Sequence, residues 1–140
     1  MNLNLSDKNN YLLGILTLIG KERYIDNSNE KFVRQIADEL GFNHYFIDQS
    51  IEEIKGHKFI IEEPPEFSNQ EFAEVFIKDA IRFAFPDHEI HLYELQWLIT
   101  ASLKNKLSED WLLLEIKKFL KVRNYNQNNS FEIQSKLNRF

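Results

Sequence analysis

The chain has 140 residues, a formal charge of −5, 43% hydrophobic residues, four Gly, three Pro and no Cys. That composition excludes a disordered chain, a disulfide scaffold and thiolate chemistry, and the negative charge argues against broad nucleic-acid binding, which needs a basic footprint. One soluble domain in a reducing compartment, the cytoplasm, is the expectation.

Asp7 is placed to cap a first helix over about 8–20, apolar on most sides (Leu12, Leu13, Ile15, Leu16, Leu18, Ile19) and therefore central in the core. A polar turn leads to a second helix over 28–40, with Phe32, Val33, Ile36, Ala37 and Leu40 inward and Gly41 just past its end. Asn43 caps a third helix that turns Phe46, Ile47, Ile51 and Ile54 inward. From Gly56 to Phe67 the pattern breaks: His57 to Ile61 reads as a short extended segment, and Glu62-Glu63-Pro64-Pro65 is not helical throughout.

Ser68 and Glu71 have capping-box spacing and open a fourth helix, which runs to about Phe85 and is stopped by Pro86. Two further helices cover 90–104 and 108–121. A polar linker over 124–129 leads to a loosely attached terminal helix over 131–139. No helix-length apolar stretch is long enough to span a bilayer, and the first residues lack the regions of a signal peptide.

The first half is written again 65 residues later. Tyr11 and Leu12 fall on Phe76 and Ile77, Phe32 and Val33 on Trp97 and Leu98, Phe46 and Ile47 on Trp111 and Leu112, with no gap. Of 20 apolar residues between Tyr11 and Ile54, 15 meet an apolar residue, where chance gives about half. Leu40 against Asn105 and Ala37 against Ser102 break the match. The expectation is an all-α domain over 1–123, a single compact bundle of six to seven helices built from two pseudo-symmetric three-helix halves (8–55 and 68–121), with 124–140 outside it.

The turns after the first helix of each half carry most of the polar chemistry. Asp87, Ile90 and Glu94 have the spacing of the repeated signature of TerB-like domains, named for tellurite-resistance proteins: a helix ending in Ala-Asp-Gly, then x-Ile, then three residues and a Glu. Pro86 stands where Ala is usual and His88 where Gly is usual; in the first half Glu22 and Arg23 replace Asp and Gly, and Glu30 arrives one residue late. The resemblance covers about residues 8–120. It implies a non-enzymatic intracellular binding or sensor module, linked to stress or tellurite-resistance systems, with acids gathered at the inter-helix turns.

Glu22, Asp26, Glu30, Asp87, Glu89 and Glu94 are hard oxygen donors of the kind that hold Ca²⁺ or Mg²⁺, although acids at helix starts are also favoured by capping and the macrodipole. His88 and His91 with nearby carboxylates suggest, as an alternative, a small metal-dependent hydrolase, but the spacing is not His-Glu-x-x-His. No Gly-rich phosphate loop, nucleophile elbow or dinucleotide fingerprint is present. Residues 104–140 carry eight Lys or Arg against four acids, so a protein partner has two places to dock: this basic final third, or exposed Phe and Tyr. A subunit of a larger assembly is the third reading.

Overall fold

The computed structural model describes residues 4–21, 27–56, 63–85, 87–122 and 131–137. Within them the chain is all-α, with seven helices: α1 Leu5–Lys21, α2 Asn27–Glu39, α3 His44–Lys55, α4 Gln70–Ala84, α5 Leu92–Lys104, α6 Glu109–Lys121 and α7 Glu132–Leu137. No strand occurs among the described residues; the expected His57–Ile61 segment, Pro86 and the 124–129 linker lie outside them. No helix there is long and apolar enough to cross a membrane.

The 65-residue offset is structural as well as textual. Shifted by 65, α2 lands on the bounds of α5, and α3 matches α6 to one residue. The loops correspond atom for atom. After α2, Gly41 has φ 89°, its N–H donates to Asp38 O (3.0 Å) and the Phe42 N–H to Ala37 O (2.9 Å). After α5, Lys106 has φ 63°, its N–H donates to Leu103 O (3.1 Å) and the Leu107 N–H to Ser102 O (2.8 Å). Both are Schellman closures, and the first uses glycine because a left-handed residue without Cβ carries no steric penalty. Asn43 Oδ1 then caps Phe46 N–H at 2.8 Å, as Ser108 Oγ caps Trp111 N–H at 3.0 Å.

The two halves meet where α1 crosses α4, and α4 shares the centre: it packs on α1, α5, α6 and α7. Tyr11 and Phe76, equivalent by the repeat, sit edge to face with ring centroids 5.7 Å apart. Around them the contacts are reciprocal, as an approximate two-fold demands. The Tyr11 hydroxyl reaches Asp79, and the Phe76 ring lies against Gly14, the repeat equivalent of Asp79.

Two buried polar side chains, Asp7 and Asn105, fasten the segments that join the halves. Asp7 does not cap α1; Asn4 does, accepting the Asp7 N–H at 2.7 Å. The buried Asp7 carboxylate instead accepts from the Ser68 N–H (2.9 Å) and from the Ser68 hydroxyl, tying the start of α1 to the start of α4. Ser68 is thereby diverted from the expected capping box, and Asn69 caps α4 by accepting the Phe72 N–H at 2.7 Å. Asn105 accepts the Phe67 N–H (2.8 Å) and donates to Pro65 O (2.9 Å) and Ala101 O (2.8 Å). Its mismatch with Leu40 is the anchor of the inter-half connection. Asn105→Leu, which installs the first half's residue, should strand the buried Phe67 N–H and cost about 2–3 kcal/mol in urea unfolding. A loss below about 0.5 kcal/mol would show that the connection is held by something else.

The terminal helix is not loose. Phe131 and Ile133 are buried; Phe131 stacks on Phe83 at 4.9 Å, meets Phe32 edge-on at 5.1 Å, and lies 3.8 Å beneath the Arg82 guanidinium carbon. The 131–137 segment therefore belongs to the same core as the two halves. Sequence reasoning set it apart because it read the polar 124–129 run as a boundary.

Candidate functional site

Four of the six acids proposed as ion ligands are described, and they do not converge; Glu22 and Asp26 lie outside the described residues. Glu30, on α2, is 3.2 Å from Arg34 and 3.7 Å from Lys55. Asp87 lies in the α4–α5 turn, where its Oδ1 accepts the Glu89 N–H at 3.0 Å and sits 3.4 Å from His91 Nε2. Slight desolvation pushes the Asp87 carboxyl up, but the Glu89 N–H and His91 outweigh it and hold the group below its ordinary value. The Glu89 side chain is exposed, whereas Glu94 is buried in the first turn of α5. Among the described residues no three His, Asp or Glu side chains come together in a way that could hold a metal ion.

The two histidines of this turn are drawn apart. His88 takes φ 61°, stacks flat on Phe119 (4.5 Å, 8°) and places Nε2 3.0 Å from Val122 O. His91 turns to Asp87. A left-handed backbone at a non-glycine residue is uncommon, and here the ring stack and the Val122 contact accompany it. His57 lies outside the described residues.

A polar constellation that the motif reading missed lies on α4. Asp79 is fully buried. Its Oδ2 accepts the Tyr11 hydroxyl (2.6 Å) and the Ile133 N–H (3.1 Å), and its Oδ1 accepts the Glu132 N–H (2.7 Å). One carboxyl thus bonds a second central helix and the first two amide groups of α7. Burial pushes it up to about 7, against the lowering effect of Tyr11, the two amides and Arg82. Burial, then Asp79, raises the Tyr11 hydroxyl well above its ordinary value. Beside Asp79 a cleft of about 180 Å³ opens between α4, α6 and α7, with Lys78, Arg82, Lys118, Glu115 and Glu132 on its walls. A signal was present: Asp79 stands in the inward stripe Phe72, Phe76, Asp79, Ala80, Phe83, where a lone carboxylate is out of place.

The chemistry of this constellation is that of a latch. The carboxyl is enclosed, its oxygens are occupied by three donors, and what it orders is the position of α7. The second conspicuous surface lies on α5 and α6, where Leu92, Tyr93, Leu103, Leu113 and Leu114 are exposed. Neither a family model, nor a curated protein, nor a solved structure matches this chain.

Proposed function

We propose that the chain is a non-catalytic, TerB-like binding module that works in the cytoplasm as an accessory to a stress-response system and recognises a protein through the outer face of α5 and α6. The observation that carries this reading is the apolar exposure on these two helices: Leu92 79%, Tyr93 79%, Leu103 57% and Leu114 51%. Exposed apolar patches mark interaction sites. The groups that catalysis would draw on are engaged elsewhere, Asp79 in the α7 latch and His88 and His91 in ring and turn contacts. Support for the TerB-like resemblance comes from His88, whose left-handed φ is the conformation at which the glycine usual in that signature is at ease.

The test is a photo-crosslinking amino acid placed in the full chain at position 114 or, as a control, at position 49. Leu114 and Gln49 are equivalent by the repeat and both exposed, on α6 and α3. Irradiation in cells should give a discrete protein adduct from position 114 and none from position 49. No adduct at 114, or the same adducts at both, would refute the reading.

A further inference from the structure

The repeat supplies an internal control for the α5–α6 face. In the first half, on α2 and α3, the corresponding face is an ion-pair network: Arg34 lies 3.2 Å from Glu30 and 2.6 Å from Asp48, with Lys55 3.7 Å from Glu30. Shifted by 65, Glu30, Arg34, Asp48 and Lys55 become Leu95, Ile99, Leu113 and Leu120. The side chains touch in the first half, and α5, α6 and their loop repeat its helix bounds and closure; in the second half Leu95, Ile99 and Leu120 are half-buried against the core and Leu113 is exposed. The first half is charged at all four of these positions, and the second half is apolar at all four.

The charges that flank the apolar face on α6 run in a self-complementary order. Asp110 stands at the start of the helix, Leu113 and Leu114 (44% and 51% exposed) in the middle, and Lys117 two turns after Asp110 on the same side. Among the described residues neither Asp110 nor Lys117 forms an ion pair within its own chain. The helix macrodipole accounts for an acid at one end and lysines at the other, but not for the leucines between them. An antiparallel second α6 crossing at Leu113–Leu114 would set Asp110 of each chain opposite Lys117 of the other.

Resting on the reading of this face as a protein-binding surface, we propose that its partner is a second copy of the chain, joined about a two-fold axis through α6 with Leu113 and Leu114 at the centre and Asp110–Lys117 pairs on either side. An isologous contact of this kind closes on itself and stops at a dimer. The lysines also repel other copies docked in parallel, where like charge would face like.

Sedimentation equilibrium of the full chain at micromolar concentration tests this. The wild type should show twice the 16.8 kDa of one chain. Leu113→Asp, which installs the residue that the first half carries exposed at Asp48, should be monomeric with unchanged far-UV helicity. Asp110→Lys alone and Lys117→Asp alone should each be monomeric, and an equimolar mixture of the two should recover the doubled mass, because only the mixed pair restores opposite charges. A dimer that survives Leu113→Asp, or a mixture that stays monomeric, overturns the proposal. A monomeric wild type overturns it too; crosslinking from position 114 to another protein would then leave the binding-module reading standing, and no crosslink would remove both.

Discussion

Asp79→Ala is expected to lower the unfolding free energy by about 3–5 kcal/mol near pH 5, and by less near pH 8. Truncation leaves the Glu132 and Ile133 amides without their acceptor and the buried Tyr11 hydroxyl without its hydrogen-bond partner. Each buried donor left unsatisfied costs about 1–3 kcal/mol, and the loss falls at once on the α1–α4 crossing and on the seat of α7. The pH dependence follows from the carboxyl itself. Burial raises it from 3.8 to about 7, so between those values the folded chain holds a proton that the unfolded chain has released. Stability from this group is therefore full below about pH 4, falls as pH rises through the folded value, and is flat above it, a total of up to about 4 kcal/mol. In its neutral form the carboxyl O–H can donate to the Tyr11 oxygen while both amide bonds persist, so acid does not by itself release α7. Asp79→Asn keeps the shape but cannot titrate. Urea unfolding across this range should show the slope in wild type and its loss in Asp79→Asn; parallel profiles for the two would refute the account.

Helix periodicity and caps were legible because they are local: the Asn43 cap, the Gly41 closure and the bounds of α5 each depend on a handful of neighbouring residues. The repeat was legible because an apolar stripe fixes a helix's inward face whatever it packs against. Asp7, Asp79 and Asn105 resisted the same reading for one reason. Each is a buried polar residue whose partners lie 61, 68 and 38 positions away, so its meaning appears only once the chain has folded. As plain sequence they were defects in an apolar pattern, and they mark where the segments without a repeat counterpart attach. The acids of the turns were the opposite case. Asp87 and Glu30 resemble ligands in sequence, yet the structure gives each a neighbouring amide or cation. The α5–α6 face was hidden for a third reason: Leu113 and Leu114 extend an apolar run in α6, and only the equivalent Asp48 and Gln49 show that the position points outward.

Gly14→Val is expected to destabilise the chain by more than about 3 kcal/mol, and Gly14→Ala by about 1–2 kcal/mol. A glycine inside a helix ordinarily costs about 1 kcal/mol relative to alanine, so on propensity alone the alanine variant would be the more stable. Packing reverses that sign. A Cβ at position 14 would lie 2.5 and 2.6 Å from the Phe76 ring carbons Cζ and Cε1, and 3.3 Å from Pro65 Cγ. Phe76 has little room to retreat: it is fully buried, with Tyr11, Phe67 and Trp97 rings at 5.7, 5.0 and 6.1 Å. Any accommodation must push α1 away from α4, and that crossing also carries the Tyr11–Asp79 bond. A double-mutant cycle separates the clash from other effects. Phe76→Leu removes the ring atoms that a Cβ would meet, so Gly14→Ala should cost markedly less in that background than in wild type, with a coupling of about 1 kcal/mol or more. Additive losses would mean that Gly14 is needed for the backbone of α1 and not for the close approach of the two halves.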